Sequence, residues 1–450
     1  MSKKEKVLII GAGLCGSLLA IKMAKRGYEV EVREKLPDMR LHPMGAGRSI
    51  NLALSNRGLK ALRAVGMEHE VLADCIGMEG RMIHSIDGAT RLSRYSGRPG
   101  EKINSVSRPG LNIALLNKAE TFENVSLHFN SRCVHLDLEA ATATFVNPDG
   151  IQTEVNATVV IGTDGAGSAV RQSLMNRTPD LLFNFSQHFL RSGYKELEIP
   201  ATADGGFRIE QNALHIWPRG QFMMIALPNL DGSFTVTMFH PYEGEGGFNT
   251  LDTEARLLAF FEKYYADALP HFPNLAEEYF SNPVGILGTI KCFPWQAFGK
   301  AVVMGDAAHA IVPFYGQGMN ASFEDAHLFD EALEKHGGDW AATLQAFQEE
   351  RVDDTNAIAD LAVDNFYEMQ DKVSDQIFIR KRQLEMQLEQ TYEDYYSKYS
   401  LVTFREDLPY RVAMKRGRMQ DELLLKICAR PDHADLSLEE VHQQIQSLQL

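Results

Sequence analysis

The chain has 450 residues, with 45 Lys plus Arg against 60 Asp plus Glu and a formal net charge of −15. This length allows a large core and predicts two or more subdomains. The negative charge argues against nucleic acid or an anionic membrane surface as a general partner. The sequence contains no stretch of about 18 uncharged apolar residues, so it predicts no membrane span.

The cysteines are scattered, odd in number and without a Cys-x-x-Cys pair: Cys15, Cys75, Cys133, Cys292 and Cys428. This usage favours a reducing compartment and argues against a metal site. The basic opening is followed by an apolar run, Val7 to Ile10, that could be mistaken for a signal peptide. Because glycines in a nucleotide-binding pattern follow at once, we do not interpret it as a targeting segment.

The first motif lies between two predicted strands. Val7 to Ile10 has the composition of a buried parallel strand, and Tyr28 to Arg33 forms the next one after a helix. Between them stands GAGLCG, in which Gly11 would make the turn, Gly13 would let a pyrophosphate approach and Gly16 would allow close helix packing. Glu34, after the second strand, stands where a carboxylate binds ribose hydroxyls. The pattern predicts dinucleotide binding, with a tight turn that binds nothing as the alternative.

The next stretch introduces a second kind of sheet. Residues 40–54 are rich in loop signals, and Arg48 beside a glycine could bind a phosphate or be solvated. Ser55 to Val65 is predicted to be helical. Residues 81–85 and 92–95 read as two strands around Asp87-Gly88, a strong turn pair. Such a hairpin interrupts the alternation of strands and helices, so it predicts a second, sheet-forming domain.

The middle of the chain predicts mostly strands. A helix is expected from Ser105 to about residue 122, followed by short strands near 125–129, 134–138 and 143–146. Antiparallel strands are expected between residues 191 and 239, with a break at Pro218. Alternation places Leu214 and Ile216 on one face, and Leu227 and Phe239 on faces of the strands that follow. One face of this sheet could cover an apolar pocket.

Two apolar runs end in an aspartate. Asp164 follows residues 158–162, and Asp306 follows residues 301–304. A carboxylate at a strand end can accept hydrogen bonds from sugar-like hydroxyls, and the helix predicted after Gly316 can stabilise negative charge with its free N–H groups. Either aspartate could instead be only a helix cap. His309 is interpreted as a structural histidine.

The C-terminal third predicts helices. Trp340 to Glu389 reads as long helices, and the tail from Gln390 is helix-prone and has no linker rich in proline or glycine. We therefore expect the tail to pack against the body of the protein.

Several strings in order along the chain resemble one family: GRSINLALS, RMIHS, SVSR, LHIWPR, FMMIALPN, GDAAHAIVPF, GQGMNA, FED and VTF. Together they resemble the flavin-dependent aromatic hydroxylases, and among these the members that act on L-kynurenine. The resemblance implies an α/β fold with a discontinuous Rossmann-like FAD-binding domain (1–75, 100–180 and 285–380). It further implies an inserted antiparallel-sheet substrate domain (76–99 and 181–284) and a C-terminal helical region (381–450).

The resemblance also implies site residues. The FAD site would comprise Gly11, Gly13, Leu14, Cys15, Gly16, Arg33, Glu34, Lys35, Leu36, Ala53, Arg108, Cys133, Asp306, Met319 and Asn320, to which the strand-end argument adds Asp164. The substrate carboxylate would be held by Arg81, Tyr95, Asn365 and Tyr399, and the aryl ring by Leu214, Ile216, Leu227, Phe239, Pro313 and Phe314.

The implied activity is hydroxylation of L-kynurenine to 3-hydroxykynurenine with NADPH and O₂, through a flavin C4a-hydroperoxide and without a metal. The sequence shows no second glycine fingerprint for NADPH, which is expected to bind transiently. Another ring hydroxylase or a flavin halogenase, a flavin-binding redox sensor without turnover, and a plain structural protein remain alternatives. Membrane-anchored relatives end differently from this polar tail, so we expect a soluble cytoplasmic enzyme. A homodimer is compatible with the sequence, which does not determine the oligomeric state.

Overall fold

A computed structural model describes residues 5–41, 51–369, 375–433 and 436–448. Numbered in chain order, the strands are β1 (Lys6–Ile10), β2 (Glu29–Arg33), β3 (Asn51–Leu54), β4 (Cys75–Met78), β5 (Gly80–His84), β6 (Thr90–Arg94), β7 (Ile103–Ser107), β8 (Val125–His128), β9 (Arg132–Asp137), β10 (Thr142–Val146), β11 (Gln152–Asn156), β12 (Val159–Gly162), β13 (Asn184–Ile199), β14 (Ala213–Arg219), β15 (Phe222–Pro228), β16 (Phe234–Pro241), β17 (Gly285–Phe293), β18 (Gln296–Ala297) and β19 (Ala301–Val303).

The helices are α1 (Leu14–Lys25), α2 (Asn56–Val65), α3 (Glu68–Ala73), α4 (Arg108–Glu120), α5 (Ala169–Asn176), α6 (Thr178–Leu181), α7 (Glu254–Tyr264), α8 (Leu275–Ser281), α9 (Asp306–His309), α10 (Gly318–Lys335), α11 (Trp340–Tyr367), α12 (Gln376–Thr391), α13 (Lys398–Thr403), α14 (Tyr410–Cys428) and α15 (Leu438–Gln446). Short 3₁₀ turns occur at Leu269–His271 and Pro313–Tyr315.

A six-stranded sheet forms the first layer, in the order β18-β19-β12-β1-β2-β8. Its pairings are parallel except at the β18 edge. The central strands are apolar on both faces because helices such as α1 and α5 pack against them. The carboxyl ends of β1, β12 and β19 therefore meet at one edge, as predicted from the sequence.

A seven-stranded sheet forms the second layer, in the order β17-β13-β16-β15-β14-β5-β6. The hairpin of β5 and β6 joins it through parallel pairing of β5 with β14, which confirms the prediction for residues 81–95. The expected break at Pro218 is wrong, since Pro218 pairs with Met223 inside β14. On the other side of β14, the pairing with β5 ends at Ile216. Pro218 therefore has no neighbouring strand on that side, and its missing N–H removes no hydrogen bond there.

Two other differences concern boundaries. The helix expected from Ser105 begins only at Arg108, because residues 103–107 form β7 between β3 and β4 in a small sheet. The Ser107 hydroxyl caps that helix by accepting the Gly110 N–H at 3.2 Å. Residues 285–293, placed with the FAD-binding domain by the sequence, form the edge strand β17 of the seven-stranded sheet.

The C-terminal helices pack against the body, as predicted. α14 contacts α11, α12 and α13, and its buried Tyr410 donates a hydrogen bond to Gln317 Oε1 at 2.9 Å. The interpretation of Arg48 lies outside the described residues. Within the described ranges, no helix combines the length and the apolar composition needed to cross a membrane.

Candidate functional site

The glycine turn after β1 is closed by backbone contacts. Gly11 has φ +105° and donates its N–H to the Arg33 carbonyl at 2.8 Å. A Cβ on Gly16 would lie 2.0 Å from the Gly11 carbonyl oxygen, whereas a Cβ on Gly13 would meet no non-neighbouring atom within 4 Å. The start of α1 has no side-chain cap and no acidic residue. The open space beside Gly13 and the free N–H groups therefore suit a pyrophosphate.

Glu34 lies beside this turn. Its Oε2 accepts the Ala12 N–H at 2.9 Å, and its Oε1 accepts the Leu36 N–H at 2.9 Å. Arg33 instead donates from Nε to Glu31 Oε1 at 2.6 Å, so its guanidinium is already engaged by the protein. Lys35 and Leu36 are exposed.

Asp164 behaves as a helix cap. Its carboxylate accepts the Ser168 hydroxyl at 2.5 Å and the Ala169 N–H at 2.7 Å. Burial raises the pKa of Asp164, although these hydrogen bonds oppose the rise. The geometry thus favours the alternative in which Asp164 caps a helix. The predicted contact of Asp164 with the cofactor would then have to come from the backbone of Asp164. Cys133 is close enough for Asp164 to contribute to its raised pKa of about 12, which is due mainly to burial.

Asp306 remains open. It follows Gly305, whose φ is +60°, and is exposed at the start of α9. Within the described part of the chain, no hydrogen bond or ion pair engages its carboxylate. Asp306 also lies near Cys15. The pKa of the Cys15 thiol is raised by burial first, then by the negative charges of Asp325 and Asp306. The open carboxylate and the glycine turn therefore border the same cleft.

The start of α10 also faces this region. Gln317 precedes the helix without a side-chain cap, and the first turn carries no acid. Asn320 is fully buried, and its Nδ2 donates to the carbonyls of Ala53 and Gly316 at 2.8 Å each. Its Oδ1 accepts the Ser55 N–H at 3.0 Å. The side chain of Asn320 is thus occupied by hydrogen bonds to the surrounding backbone. Met319 and Asn320 would therefore contact a flavin through their backbone N–H groups, at the start of α10.

A buried ionic network explains the FED string. Arg351 pairs with Glu324 at 2.8 Å and with Asp325 at 2.8 Å. Asp325 also contacts His309 Nε2 at 2.5 Å and accepts the Gly305 N–H at 2.9 Å. His309 is a satisfied core residue, as predicted, and the network fixes the loop that carries Asp306.

A second group of predicted residues meets around Arg81. Its guanidinium carbon lies 5.0 Å from the Tyr399 ring centroid and 5.8 Å from that of Tyr95. The two tyrosine rings stack at 5.2 Å, and Tyr315 stacks on Tyr399 at 5.4 Å. Among the described residues, no carboxylate forms an ion pair with Arg81. A half-buried cation beside stacked phenols is suited to bind an anion.

The phenols remain donors. Burial raises the pKa of Tyr95, Tyr399 and Tyr315, so all three stay protonated near neutral pH. Tyr315 was not among the predicted residues. Its place in the string PFYGQG gave no signal, because only the folded chain shows the stacking.

Asn365 lies in the same cavity wall as Arg81 and Tyr399. It is buried, and its Nδ2 donates to the Phe314 carbonyl at 2.6 Å and faces Met369 Sδ at 3.4 Å. Because a carbonyl can only accept, the amide orientation is fixed, and Oδ1 is the atom left for a ligand. An amide oxygen suits an ammonium group, so this orientation favours that part of the substrate, while the contact with the carboxylate stays a prediction.

The predicted apolar residues share one face of the seven-stranded sheet. Leu214 is in register with Arg81, and Ile216 with Ile225. Phe239 packs on Phe314 with ring centroids 4.8 Å apart. Leu227 and Leu214 join Tyr95 and Tyr399 in a neighbouring cluster, and Pro313 is exposed beside Phe314. This face thus runs from the cation at Arg81 to the aromatic pair.

Glu196 lies on the same face and was missed by the sequence interpretation. It pairs with Thr237 across β13 and β16, and only 9% of its surface is exposed. Burial raises the pKa of this carboxyl to about 7, while Arg108 opposes the rise. Arg108 itself is exposed at the start of α4. The period of two along β13 from Tyr194 could have identified Glu196.

The helix that carries Tyr399 is held by buried charges. Lys398 Nζ lies 2.5 Å from Asp421 Oδ2 and 3.2 Å from Glu368 Oε2. Asp421 also pairs with Lys381 on α12 at 2.5 Å. These contacts join α11, α12, α13 and α14 around the end of the cavity next to Asn365.

Comparisons with known proteins identify relatives. A family profile described as "FAD binding domain" matches residues 4–182 and 294–362. The chain is 44% identical over 450 residues to a kynurenine 3-monooxygenase of Myxococcus xanthus, covering 99% of this chain and 96% of that protein. It is 41% identical to the kynurenine 3-monooxygenase of Christiangramia forsetii, covering 96% of this chain and 95% of that protein.

Solved structures share the fold. 2-Methyl-3-hydroxypyridine-5-carboxylic acid oxygenase superposes with a TM-score of 0.66 at 20% identity, covering 83% of this chain and 94% of that one. p-Nitrophenol 4-monooxygenase PnpA from Pseudomonas putida DLL-E4 gives a TM-score of 0.66 at 16% identity, covering 94% and 99%. At these identities the likeness concerns the fold.

Proposed function

Because this chain belongs to the kynurenine 3-monooxygenase family, we propose that it hydroxylates the ring of L-kynurenine beside its amino group. The balanced reaction consumes L-kynurenine, NADPH, a proton and O₂, and gives 3-hydroxykynurenine, NADP⁺ and water. One observation supports this substrate more than any other. Arg81 stands without a carboxylate partner among the described residues, beside two stacked and protonated phenols, at one end of an apolar sheet face.

The residues present fit an FAD. The Gly13 side of the turn has room for a pyrophosphate, Asp306 has an open carboxylate for ribityl hydroxyls, and α1 and α10 begin without side-chain caps. FAD, when bound and reduced by NADPH, supplies the activated oxygen atom that is transferred to the ring. The N–H groups at the start of α10 would stabilise negative charge on the reduced ring.

The chain's own residues position the substrate. Arg81 would form charge-assisted hydrogen bonds with the kynurenine carboxylate, aided by the hydroxyls of Tyr95 and Tyr399. Asn365 would accept a hydrogen bond from the α-ammonium group. The apolar face around Leu214 and Phe239 would hold the aryl ring and exclude water. Since the amino group of the ring already activates the neighbouring carbon, no strong protein base is required.

Purified protein tests this proposal. NADPH consumption should rise when L-kynurenine is added, and the product should gain one oxygen atom by mass. A panel of other aromatic acids and halide ions distinguishes another hydroxylase or a halogenase. Yellow protein whose NADPH oxidation responds to no aromatic amino acid would support a redox sensor instead, and colourless, flavin-free protein would support a structural role.

A cytoplasmic location is also part of the proposal. All five cysteines are free in the structure, which suits a reducing compartment. Fractionation of cells should find the activity with other cytoplasmic enzymes. A homodimer stays a prediction, which light scattering of the purified protein would test.

A further inference from the structure

Two of the strings quoted above, RMIHS and LHIWPR, contribute side chains to both faces of the seven-stranded sheet. Arg81 and Leu214 face the candidate substrate site. His84, His215 and Trp217 point to the opposite face, where they are 6%, 1% and 0% exposed. The proposed reaction uses none of these three side chains.

They form a hydrogen-bonded chain. His215 Nε2 lies 2.7 Å from the Glu210 carbonyl oxygen, and His215 Nδ1 lies 2.8 Å from His84 Nε2. His84 Nδ1 lies 2.7 Å from Asp267 Oδ2, which also accepts the Trp217 indole N–H at 2.8 Å. In the described part of the chain, no group of three or more His, Cys, Asp or Glu side chains could hold a metal ion.

The positions of the protons follow from the partners. A carbonyl only accepts, so His215 must donate from Nε2. Burial lowers the pKa of His215 to about 4, so this ring is neutral and its Nδ1 accepts. His84 must then donate from Nε2. Its other nitrogen faces a carboxylate, which also accepts, so His84 donates from Nδ1 as well. A ring that donates from both nitrogens is an imidazolium.

Two further observations agree with a cation at His84. The His84 ring stacks on Trp217 with centroids 4.1 Å apart and planes inclined by 22°, an arrangement that accommodates a charged imidazole as well as a neutral one. Burial raises the pKa of Asp267, but hydrogen bonds from His84 and Trp217 outweigh it, and the net pKa is lowered. Asp267 is therefore the anionic partner.

The surrounding charges complete the environment. Arg219 Nη2 lies 4.0 Å from Asp267 Oδ1. His271 interacts with Arg208, Asp267 and His84, and because burial and then Arg208 lower its pKa, this ring is neutral near pH 7. Arg219 Nη1 also donates to the His84 carbonyl at 2.8 Å. Asp267 is thus the carboxylate that balances these cations around His84.

This ion pair acts on the element that carries Arg81. His84 ends β5, and the hairpin of β5 and β6 forms the edge of the sheet, where β5 pairs with β14. Asp267 belongs to the segment after α7. We propose that His84 is a positioning residue which, as an imidazolium between Asp267 and His215, fixes the hairpin that presents Arg81 and Tyr95 to the substrate. The substrate part of this inference rests on the proposed function.

The charge of His84 is tested in the wild-type protein. Protein labelled with ¹⁵N-histidine should show, near neutral pH, one ring with two N–H protons and two nitrogens of the protonated type. The signal should disappear in His84→Phe. If the His84 ring carries a single N–H, the inference is overturned, whatever the enzyme's activity.

The positioning role is tested with two variants that remove the ion pair in different ways. His84→Phe keeps a ring beside Trp217, and Asp267→Asn keeps the shape of the carboxylate. Both should accelerate amide hydrogen exchange in peptides covering residues 80–94. Both should raise the KM for L-kynurenine about tenfold while kcat changes less than about threefold.

His69→Gln is the matched control, because this histidine is exposed on α3 and its loss should change neither measurement. Unchanged exchange in the hairpin of a folded Asp267→Asn protein would overturn the positioning role. A different outcome would be faster amide exchange of residues 80–94 in both variants but no kynurenine turnover by the wild type. That outcome would contradict the proposed function and would leave the positioning role of His84 intact.

Discussion

Gly305 packs directly against Cys15: a Cβ on Gly305 would lie 3.3 Å from the Cys15 sulfur. The same sulfur donates to the Ser322 carbonyl on α10 at 3.5 Å. The glycine turn at the start of the chain and the aspartate motif near residue 306 therefore border one cleft. A single dinucleotide can contact both only in such an arrangement.

Substitutions at two glycines of the turn should separate folding from cofactor binding. Gly16→Ala should lower the unfolding free energy of the FAD-free protein by about 1–3 kcal/mol or more, since its methyl group would overlap the Gly11 carbonyl. Gly13→Ala should change that free energy by less than about 1 kcal/mol but weaken FAD binding at least about tenfold. Denaturant unfolding and flavin fluorescence titration measure the two effects. Wild-type FAD affinity in Gly13→Ala would show that no pyrophosphate lies there.

Removal of the charge at Arg81 should impair substrate binding. Arg81→Met should cost about 2–4 kcal/mol in kcat/KM for L-kynurenine, because a charge-assisted contact is lost and the carboxylate is left poorly paired. Steady-state kinetics measure this loss. Arg94→Met is the matched control in the same hairpin, since Arg94 pairs with Glu79 at 2.7 Å on the surface. Equal effects of the two variants would argue against a carboxylate site at Arg81.

Local patterns predicted much of this architecture. The glycine turn and the hairpin around Asp87 depend on backbone geometry that nearby residues determine. The pattern did not separate Asp164 from Asp306, since both follow apolar strands, and only hydrogen bonds to Ser168 and Ala169 show that Asp164 caps a helix. The orientation of Asn365 likewise depends on a carbonyl 51 residues away. Such contacts between distant segments have no local sequence signal.

The orientation of Asn365 makes a prediction about the amino group. Asn365→Ala should lower kcat/KM for L-kynurenine about tenfold, because a hydrogen bond to a charged group is lost. An analogue without the α-amino group should lose much less when the same variant is compared with the wild type. The loss of the contact with Phe314 affects both compounds equally, so the ratio reports the amide oxygen. Equal losses for both compounds would mean that Asn365 does not contact the ammonium group.

Glu196 should make stability depend on pH. Burial raises the pKa of its carboxyl from its ordinary value of 4.5 to about 7, so the folded protein holds a proton that the unfolded chain releases between these values. Stability from this group is therefore lost as the pH rises through that window and stays low above it. Glu196→Gln removes the titration and should stabilise the protein at pH 8 by about 1–2 kcal/mol. Partial contact with solvent keeps this gain in stability below the roughly 3 kcal/mol of the full pKa shift.

Denaturant unfolding at pH 8 and at about pH 4.5 measures the difference in stability between Glu196→Gln and the wild type, which should vanish at the lower pH. Glu262→Gln, exposed on α7, is the control, and an equal gain at both pH values in Glu196→Gln would contradict a titrating carboxyl.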